Sequence, residues 1–209
     1  MTASATVHLL RHGEVHNPER IVYGRLPEYH LSETGRQMAE LAAAELARRA
    51  ADGARIVWLG ASPLTRAQET AAPVSRELGL PVHTDERLIE AGNWFEGLHV
   101  DRRELAGSPR HWPKLLNPLR PSWGEPYREQ VIRMAEAVKA AAVRAVELGG
   151  DGAEAVLVSH QLPIWIARCA AEGRRLPHDP RSRQCTLASV TSFGVLDGRI
   201  VRVDYAEPA

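Results

Sequence analysis

Four side chains that lie far apart in the sequence have the chemistry to bind and attack a phosphoryl group. Arg11 and His12 are neighbours, whereas Arg66 and His160 follow much later in the chain. Arginine makes charge-assisted hydrogen bonds in a fixed geometry that suits phosphate oxygens. A neutral imidazole is a competent nucleophile once its other nitrogen is oriented. Because phosphoryl transfer needs little beyond an aligned nucleophile and cationic support, these residues predict transfer onto His12 with no cofactor and no metal.

These residues follow apolar segments that have the composition of buried β-strands. The apolar segments cover residues 5–10, 54–60, 154–159, 187–195 and 199–205. The first three lead directly into the stretches that hold the two arginines and the two histidines. The last two are joined by an Asp-Gly pair, which is a hairpin turn signal.

Capping residues and apolar residues at helical spacing predict helices between the strands. The expected helix starts are Ser32, Ser62 with Pro63 as cap and first residue, Pro126, and the residue after His160. The helix after Ser32 is expected to end near Gly53, with Met38, Leu41, Ala42 and Leu46 facing the core. Alternating strands and helices followed by a hairpin predict an α/β fold. We expect a three-layer α/β/α sandwich with a mainly parallel central sheet.

Such a fold would bring the four side chains together. Ligands of open α/β sheets bind beyond the carboxyl ends of the strands. We therefore expect Arg11, His12, Arg66 and His160 to line one crevice. Two predicted helices begin there, and their N-termini add backbone N–H groups and partial positive charge. The combination describes a site for a dianionic phosphoryl group.

Composition and charge favour a single domain with a small-molecule substrate. Lys plus Arg and Asp plus Glu both total 26 in the 209 residues, so nothing indicates a nucleic-acid or anionic-membrane partner. Two cysteines form neither a disulfide framework nor a zinc cluster, and the N-terminal segment lacks signal-peptide features. We expect one cytoplasmic domain over residues 1–209, with a proline-rich, lid-like excursion at about 99–125.

Five segments, in order, resemble the motifs of the histidine phosphatase superfamily, which includes cofactor-dependent phosphoglycerate mutases. They are LLRHGEVHN (9–17), LSETGR (31–36), ASPLTRAQETA (61–71), RLIEAGNWFEG (87–97) and VLVSHQ (156–161). A lone RHGE match would be weak evidence, but five ordered matches are specific. The resemblance implies a phosphoglycerate mutase-like fold and catalysis through a phosphohistidine.

The resemblance also implies roles for individual residues. His12 would be the phosphorylated nucleophile, and Arg11 and Arg66 would bind the phosphate. Glu90 would be the proton donor, and His160 would place a second imidazole on the phosphate.

Substrate contacts and departures from the family pattern complete the candidate site. Asn17 resembles the phosphate-facing asparagine, one position early, and Tyr23 and Gly24 lie in the segment that touches substrate. Gln161 replaces the usual glycine after the second histidine and is a further candidate for substrate contact. The loop that carries the acid is one residue short, which leaves Glu96 as a rival proton donor.

Three functions are compatible with these residues. Hydrolysis of a small phosphorylated metabolite through a phosphohistidine is the favoured reading. A mutase would return the phosphoryl group to its substrate, but no segment matches the mutase lid. A non-catalytic sensor of phosphorylated ligands would be expected to lack the nucleophile or its arginines, and all are present. The helical faces hint at a homodimer.

Overall fold

The computed structural model describes residues 3–99 and 124–208 of the chain. Its strands and helices alternate through most of the sequence, as the apolar pattern predicts. In chain order they are β1 (Ser4–Arg11), α1 (Glu33–Ala51), β2 (Ile56–Ala61), α2 (Thr65–Leu78), β3 (Val82–Thr84), α3 (Tyr127–Gly149), β4 (Ala153–Ser159), α4 (Gln161–Ala171), β5 (Val190–Leu196) and β6 (Arg199–Ala206). No helix in the described ranges combines the length and the apolar composition needed to span a bilayer.

The strands form one sheet in the order β3-β2-β4-β1-β5-β6. Strands β3, β2, β4 and β1 pair in parallel, whereas β5 and β6 join antiparallel at one edge. The register pairs Arg11 with Ser159, so β1 and β4 end at the same level. This confirms the predicted mainly parallel sheet with a C-terminal hairpin, and it places His12 and His160 side by side beyond the strand ends.

Helices cover both faces of the sheet because successive strand residues point to opposite sides. On β1, Val7 and Leu9 pack with Met134 of α3, whereas Leu10 packs in a separate cluster with α1 and α2. Alanines make up much of the buried helical surface, which lets the helices lie close to the sheet. The predicted three-layer α/β/α sandwich is confirmed.

One local prediction needs correction, one strand was not predicted, and one prediction lies outside the described residues. Leu41 is exposed, because the stripe of α1 that faces the sheet runs through Ala39, Ala42, Ala43 and Leu46. The three-residue strand β3 gave no recognisable apolar run. The predicted lid-like excursion lies almost entirely in 100–123, outside the described ranges. Its flanking residues are paired, His99 with Ile21 and Gly124 with Asn93.

Candidate active site

The nucleophile position predicted from sequence, His12, follows directly after β1 and is almost completely buried. Its Nδ1 lies 2.8 Å from the carbonyl oxygen of Gly13. A carbonyl oxygen can only accept, so Nδ1 carries the ring proton and donates it. This leaves the lone pair on Nε2 available for attack. Oriented in this way, the imidazole has the tautomer that a nitrogen nucleophile needs.

Gly13 allows the turn after His12 to pack against the start of α1. A Cβ on Gly13 would lie 2.4 Å from the carbonyl oxygen of Gly35, and one on Gly35 would contact the Glu14 backbone. Ser32 caps α1 as predicted, accepting from the backbone N–H of Gly35. The backbone N–H of Ser32 donates to the carbonyl oxygen of Glu14 (2.9 Å). The glycines therefore fix the position of His12 through close backbone packing.

His160 is fully buried, and its ring centroid lies 5.1 Å from that of His12. The Ser62 hydroxyl lies 2.7 Å from His160 Nε2 and also accepts weakly from the backbone N–H of Leu64 (3.4 Å). The hydroxyl can donate its proton to Nε2, and in that tautomer neutral His160 carries its ring proton on Nδ1. Nδ1 is buried and has no partner within the described residues. This nitrogen is available to a ligand.

The start of α2 differs from the sequence prediction. The helix begins at Thr65 with Leu64 as its N-cap, so the assignment of Ser62 and Pro63 as cap and first helical residue is wrong. The reason is that Ser62 continues the sheet, its N–H donating to the carbonyl oxygen of Val158 (2.9 Å), while its hydroxyl binds His160. The shift gives Ser62 a role in orienting His160 instead.

Arg11 and Arg66 are each held by one backbone carbonyl. Nη1 of Arg11 donates to Cys185 (2.7 Å), and Nη2 of Arg66 donates to Gly24 (2.6 Å). Arg66 also lies over the ring of Tyr23, 4.8 Å from its centroid. The Nε atoms of both arginines are buried and unpartnered within the described residues. Since buried donors are normally paired, both arginines retain capacity for an anionic ligand.

The surroundings lower the pKa of both imidazoles. For His12, burial has the largest effect, followed by the positive charges of Arg66 and Arg11, and the pKa lies well below its usual 6.5. Burial also dominates for His160, with His12 and Arg66 adding to it. These influences disfavour the charged form, so both rings are neutral at physiological pH. A neutral His12 is the nucleophilic form.

We expect nitrogen NMR on labelled imidazole rings to show His12 neutral, with its proton on Nδ1, well below pH 6.5. Because the pKa of His12 is lowered, the neutral ring persists as the pH falls below 6.5, until the pH approaches that lowered pKa. A His12 ring that is half protonated near 6.5 would contradict the buried, cationic environment described here.

Glu90 is the carboxylate of the acid loop that faces the site. It lines the same cavity as His12, and Oε1 accepts from the N–H of Ala91 (2.7 Å). Burial raises the pKa of Glu90, with the Ala91 N–H and the charges of Arg66 and Arg11 opposing the rise. A carboxyl group with a raised pKa suits general acid chemistry.

The rival carboxylate, Glu96, has a different role in the structure. Its Oε1 accepts from the backbone N–H groups of Arg25 (3.0 Å) and Asn93 (3.1 Å), which ties the loop together. It does not line the cavity that contains His12. The geometry therefore favours Glu90 over Glu96 as proton donor.

A partly buried ion-pair cluster holds the Glu90 segment in place. Glu125 binds Arg133 through both carboxylate oxygens (2.7 and 2.8 Å) and Arg25 through one (2.9 Å). The two arginines also donate to the backbone on either side, Arg25 to the carbonyl of Glu90 and Arg133 to that of Arg87, each at 2.6 Å. The cluster thus connects the acid loop to α3.

Replacing Glu125 with alanine is expected to lower the free energy of unfolding by about 1–3 kcal/mol, because two partly buried guanidinium groups would lose their counter-charge. Urea denaturation measures this change. Glu147→Ala on α3 is the matched control, since Glu147 forms an exposed pair with Arg144 and should change stability by less than about 0.5 kcal/mol. Equal changes in the free energy of unfolding would show that the cluster stabilises the fold no more than an exposed ion pair does.

These side chains surround one cavity of about 390 Å³. Its lining includes Arg11, His12, Tyr23, Gly24, Glu90 and Gln161. Arg66 and His160 are buried beside it, in contact with Tyr23 and His12. Asn17 does not line it, since its amide donates to the carbonyl of Ile21 (2.9 Å) and accepts from the N–H of the same residue (3.0 Å). In this geometry Asn17 closes a turn.

A family model, the histidine phosphatase superfamily (branch 1), matches residues 7–207. The chain belongs to the histidine phosphatase superfamily. It is 52% identical over 211 residues to an uncharacterised protein of Mycobacterium tuberculosis, with 100% of this chain and 99% of that protein covered.

Two solved structures have a similar architecture. Mycobacterial glucosyl-3-phosphoglycerate phosphatase is similar with a TM-score of 0.74 and 25% identity over 97% of both chains. YhfR of Bacillus stearothermophilus is similar with a TM-score of 0.73 and 28% identity over 94% of both chains.

Several cavity residues of this superfamily member were not found from the sequence. They are Glu125, Tyr127, Gln130, His178 and Arg183. The resemblance stops near residue 170, and neither His178 nor Arg183 follows an apolar run. The cluster of arginines before the last strands was the one available signal. Within residues 3–99 and 124–208, no three His, Cys, Asp or Glu side chains are grouped as metal ligands.

Proposed function

We propose that this protein hydrolyses phosphate monoesters through a covalent phosphohistidine on Nε2 of His12. The observation that carries the proposal is the convergence of a correctly oriented imidazole with three buried, unpartnered nitrogens. Two are donors, Nε of Arg11 and Nε of Arg66, and the third is Nδ1 of His160, which donates when Ser62 donates to Nε2. Donors arranged before the substrate binds can stabilise phosphoryl oxygens without reorganisation.

The reaction follows from the protonation states of the site. Nε2 of His12 forms a bond to phosphorus as the ester P–O bond breaks, and Glu90 gives its proton to the departing alkoxide. The resulting Glu90 carboxylate then takes a proton from water as that water attacks the phosphohistidine. The N–P bond breaks, inorganic phosphate leaves, and His12 and Glu90 return to their starting forms. Each proton that Glu90 donates is recovered in the second step.

We infer that the cationic side chains supply the charge stabilisation that a metal ion provides in other phosphatases. Arg11 and Arg66 carry fixed positive charge next to His12, and both lower its pKa. The same charges would oppose a divalent cation at this position. The similarity to a glucosyl-3-phosphoglycerate phosphatase supports hydrolysis of a small phosphorylated metabolite.

A panel of phosphate esters that includes 3-phosphoglycerate, assayed with and without chelator, tests the proposal. We expect release of phosphate that chelator does not change. Isomerisation of 3-phosphoglycerate faster than phosphate release would instead establish a mutase, which uses the same residues. Phosphate release that chelator abolishes would contradict the metal-independent mechanism. Binding of phosphorylated ligands with no turnover would indicate a sensor.

A further inference from the structure

Arg183 lines the active-site cavity but has no role in the proposed phosphoryl transfer. It lies on the segment between α4 and β5, after the short helix Pro180–Ser182. Its Nε donates to Nε2 of His178 (2.8 Å), and its Nη1 donates to the side-chain oxygen of Gln161 (3.4 Å). Both acceptors belong to uncharged groups when His178 is neutral.

His178 is neutral in this arrangement. Its Nδ1 lies 2.6 Å from the carbonyl oxygen of Leu176 and must donate, so Nε2 is the acceptor for Arg183. The ring also packs against Tyr127 and Trp165, with centroids 5.8 and 5.9 Å apart. Burial, the largest cause, lowers the pKa of His178, and Arg183 lowers it further. The contact therefore orients the guanidinium without neutralising it.

The partners of Arg183 differ from those of the other arginines around the acid loop. Arg25 and Arg133 both bind the carboxylate of Glu125. No carboxylate in the described ranges lies within ion-pair distance of Arg183. The carboxylate of Glu90, across the same cavity, has the largest electrostatic effect on Arg183 but forms no direct ion pair with it. A partly buried guanidinium that lines a cavity without a direct ion pair favours an anionic ligand.

We propose that Arg183 binds a carboxylate of the substrate, so that the preferred phosphate monoesters carry a second anionic group. The inference rests on the proposed function. Nε is engaged by His178 and Nη1 contacts Gln161 at 3.4 Å, whereas Nη2 has no partner among the described residues. A guanidinium can present Nη1 and Nη2 together to the two oxygens of a carboxylate. Arg183 is a specificity-determining residue in this assignment.

Gln161 fixes the distance between the two anion sites. It follows His160 directly, accepts from Arg183, and donates through Nε2 to the carbonyl oxygen of Cys185 (3.3 Å). The same carbonyl accepts from Arg11 of the phosphoryl site (2.7 Å). This connection gives a structural reason for glutamine at the position where the family pattern has glycine. Its side chain joins the subsite to the catalytic arginine.

Two esters that differ in one group test the assignment: 3-phosphoglycerate, which has a carboxylate, and glycerol 3-phosphate, which has a hydroxymethyl group in its place. We expect Arg183→Gln to lower kcat/KM for 3-phosphoglycerate about 10- to 100-fold, chiefly by raising KM. For glycerol 3-phosphate it should change by less than about twofold, which also shows that the variant folds. Arg183→Lys should give a kcat/KM for 3-phosphoglycerate between those of the unmodified protein and Arg183→Gln. Lysine keeps the positive charge but lacks the paired N–H groups of the guanidinium.

Arg181→Gln is the matched control, since Arg181 is exposed, binds Asp179 and does not line the cavity. This substitution should leave kcat/KM unchanged for both esters. If Arg183→Gln lowers kcat/KM equally for both esters, or for neither, the carboxylate subsite is overturned. The proposed hydrolysis of phosphate monoesters is not affected by that result. If the unmodified protein releases phosphate from neither ester nor from p-nitrophenyl phosphate, the proposed function itself has failed. A retained carboxylate preference in Arg183→Gln would assign the subsite to other residues.

Discussion

Replacing His12 with asparagine is expected to abolish hydrolysis of phosphate esters, with kcat falling on the order of 10⁴-fold or more. The asparagine amide can still donate a hydrogen bond, but it has no lone pair with the nucleophilicity of imidazole Nε2. The Gly13 contact leaves Nε2 of His12 with a free lone pair, whereas Nε2 of His160 is engaged by Ser62. Phosphate release from p-nitrophenyl phosphate measures the loss.

The control for this variant is His83→Asn. His83 is exposed on β3, stacks on Trp58 and lies outside the active-site cavity. It should retain full activity, and the urea midpoint of His12→Asn should show a folded protein. Substantial residual turnover in His12→Asn, within tenfold of the unmodified enzyme, would mean that another group attacks phosphorus.

The second large effect is expected for Glu90→Gln, and its size should depend on the leaving group. Glutamine preserves the shape and the acceptor for the Ala91 N–H, but it cannot donate a proton to an alkoxide. General acid catalysis is worth about 10²–10⁴-fold, so kcat should fall by that factor for alkyl phosphates. The rate of phosphoryl transfer from p-nitrophenyl phosphate to His12 should fall much less, because the nitrophenolate leaving group needs no proton. Stopped-flow measurement of nitrophenol release separates the two steps.

Glu96→Gln discriminates between the two candidate acids. Glutamine at 96 keeps the acceptor for the N–H groups of Arg25 and Asn93, so the loop should hold its position. We expect only a small loss of activity, without dependence on the leaving group. A strong leaving-group dependence in this variant, with little effect of Glu90→Gln, would transfer the proton-donor role to Glu96.

Most of the fold could be predicted because it depends on apolar periodicity, which the sequence displays directly. Strands β1 and β4 are mostly buried on both faces, and their sequences show apolar runs at residues 5–10 and 154–159. Strand β3 has mostly exposed side chains and only three residues, so it produced no such pattern. The start of α2 was placed too early because Ser62 and Pro63 have the residue types of a helix start. Tertiary contact with His160 overrides that local preference.

The candidate site likewise contains residues that the sequence predicts and residues that it does not. His12 and His160 could be placed together because parallel strands end at one edge of the sheet, and Arg66 because α2 begins there. Arg183 and His178 reach the cavity from a loop whose path depends on packing against α4, and no local pattern encodes that path. The choice between Glu90 and Glu96 required knowing which carboxylate the backbone N–H groups occupy. The expected homodimer, cytoplasmic location and lid remain predictions.

Direct detection of the covalent intermediate tests the central claim. The Glu90→Gln variant should be mixed with p-nitrophenyl phosphate and quenched in alkali, because it forms the intermediate readily and lacks the base that activates water. We expect one phosphate per protein, stable to base and labile to acid, and peptide mapping should locate it on His12. A burst of nitrophenol without any phosphohistidine, or a phosphate found on a different side chain, would contradict the mechanism.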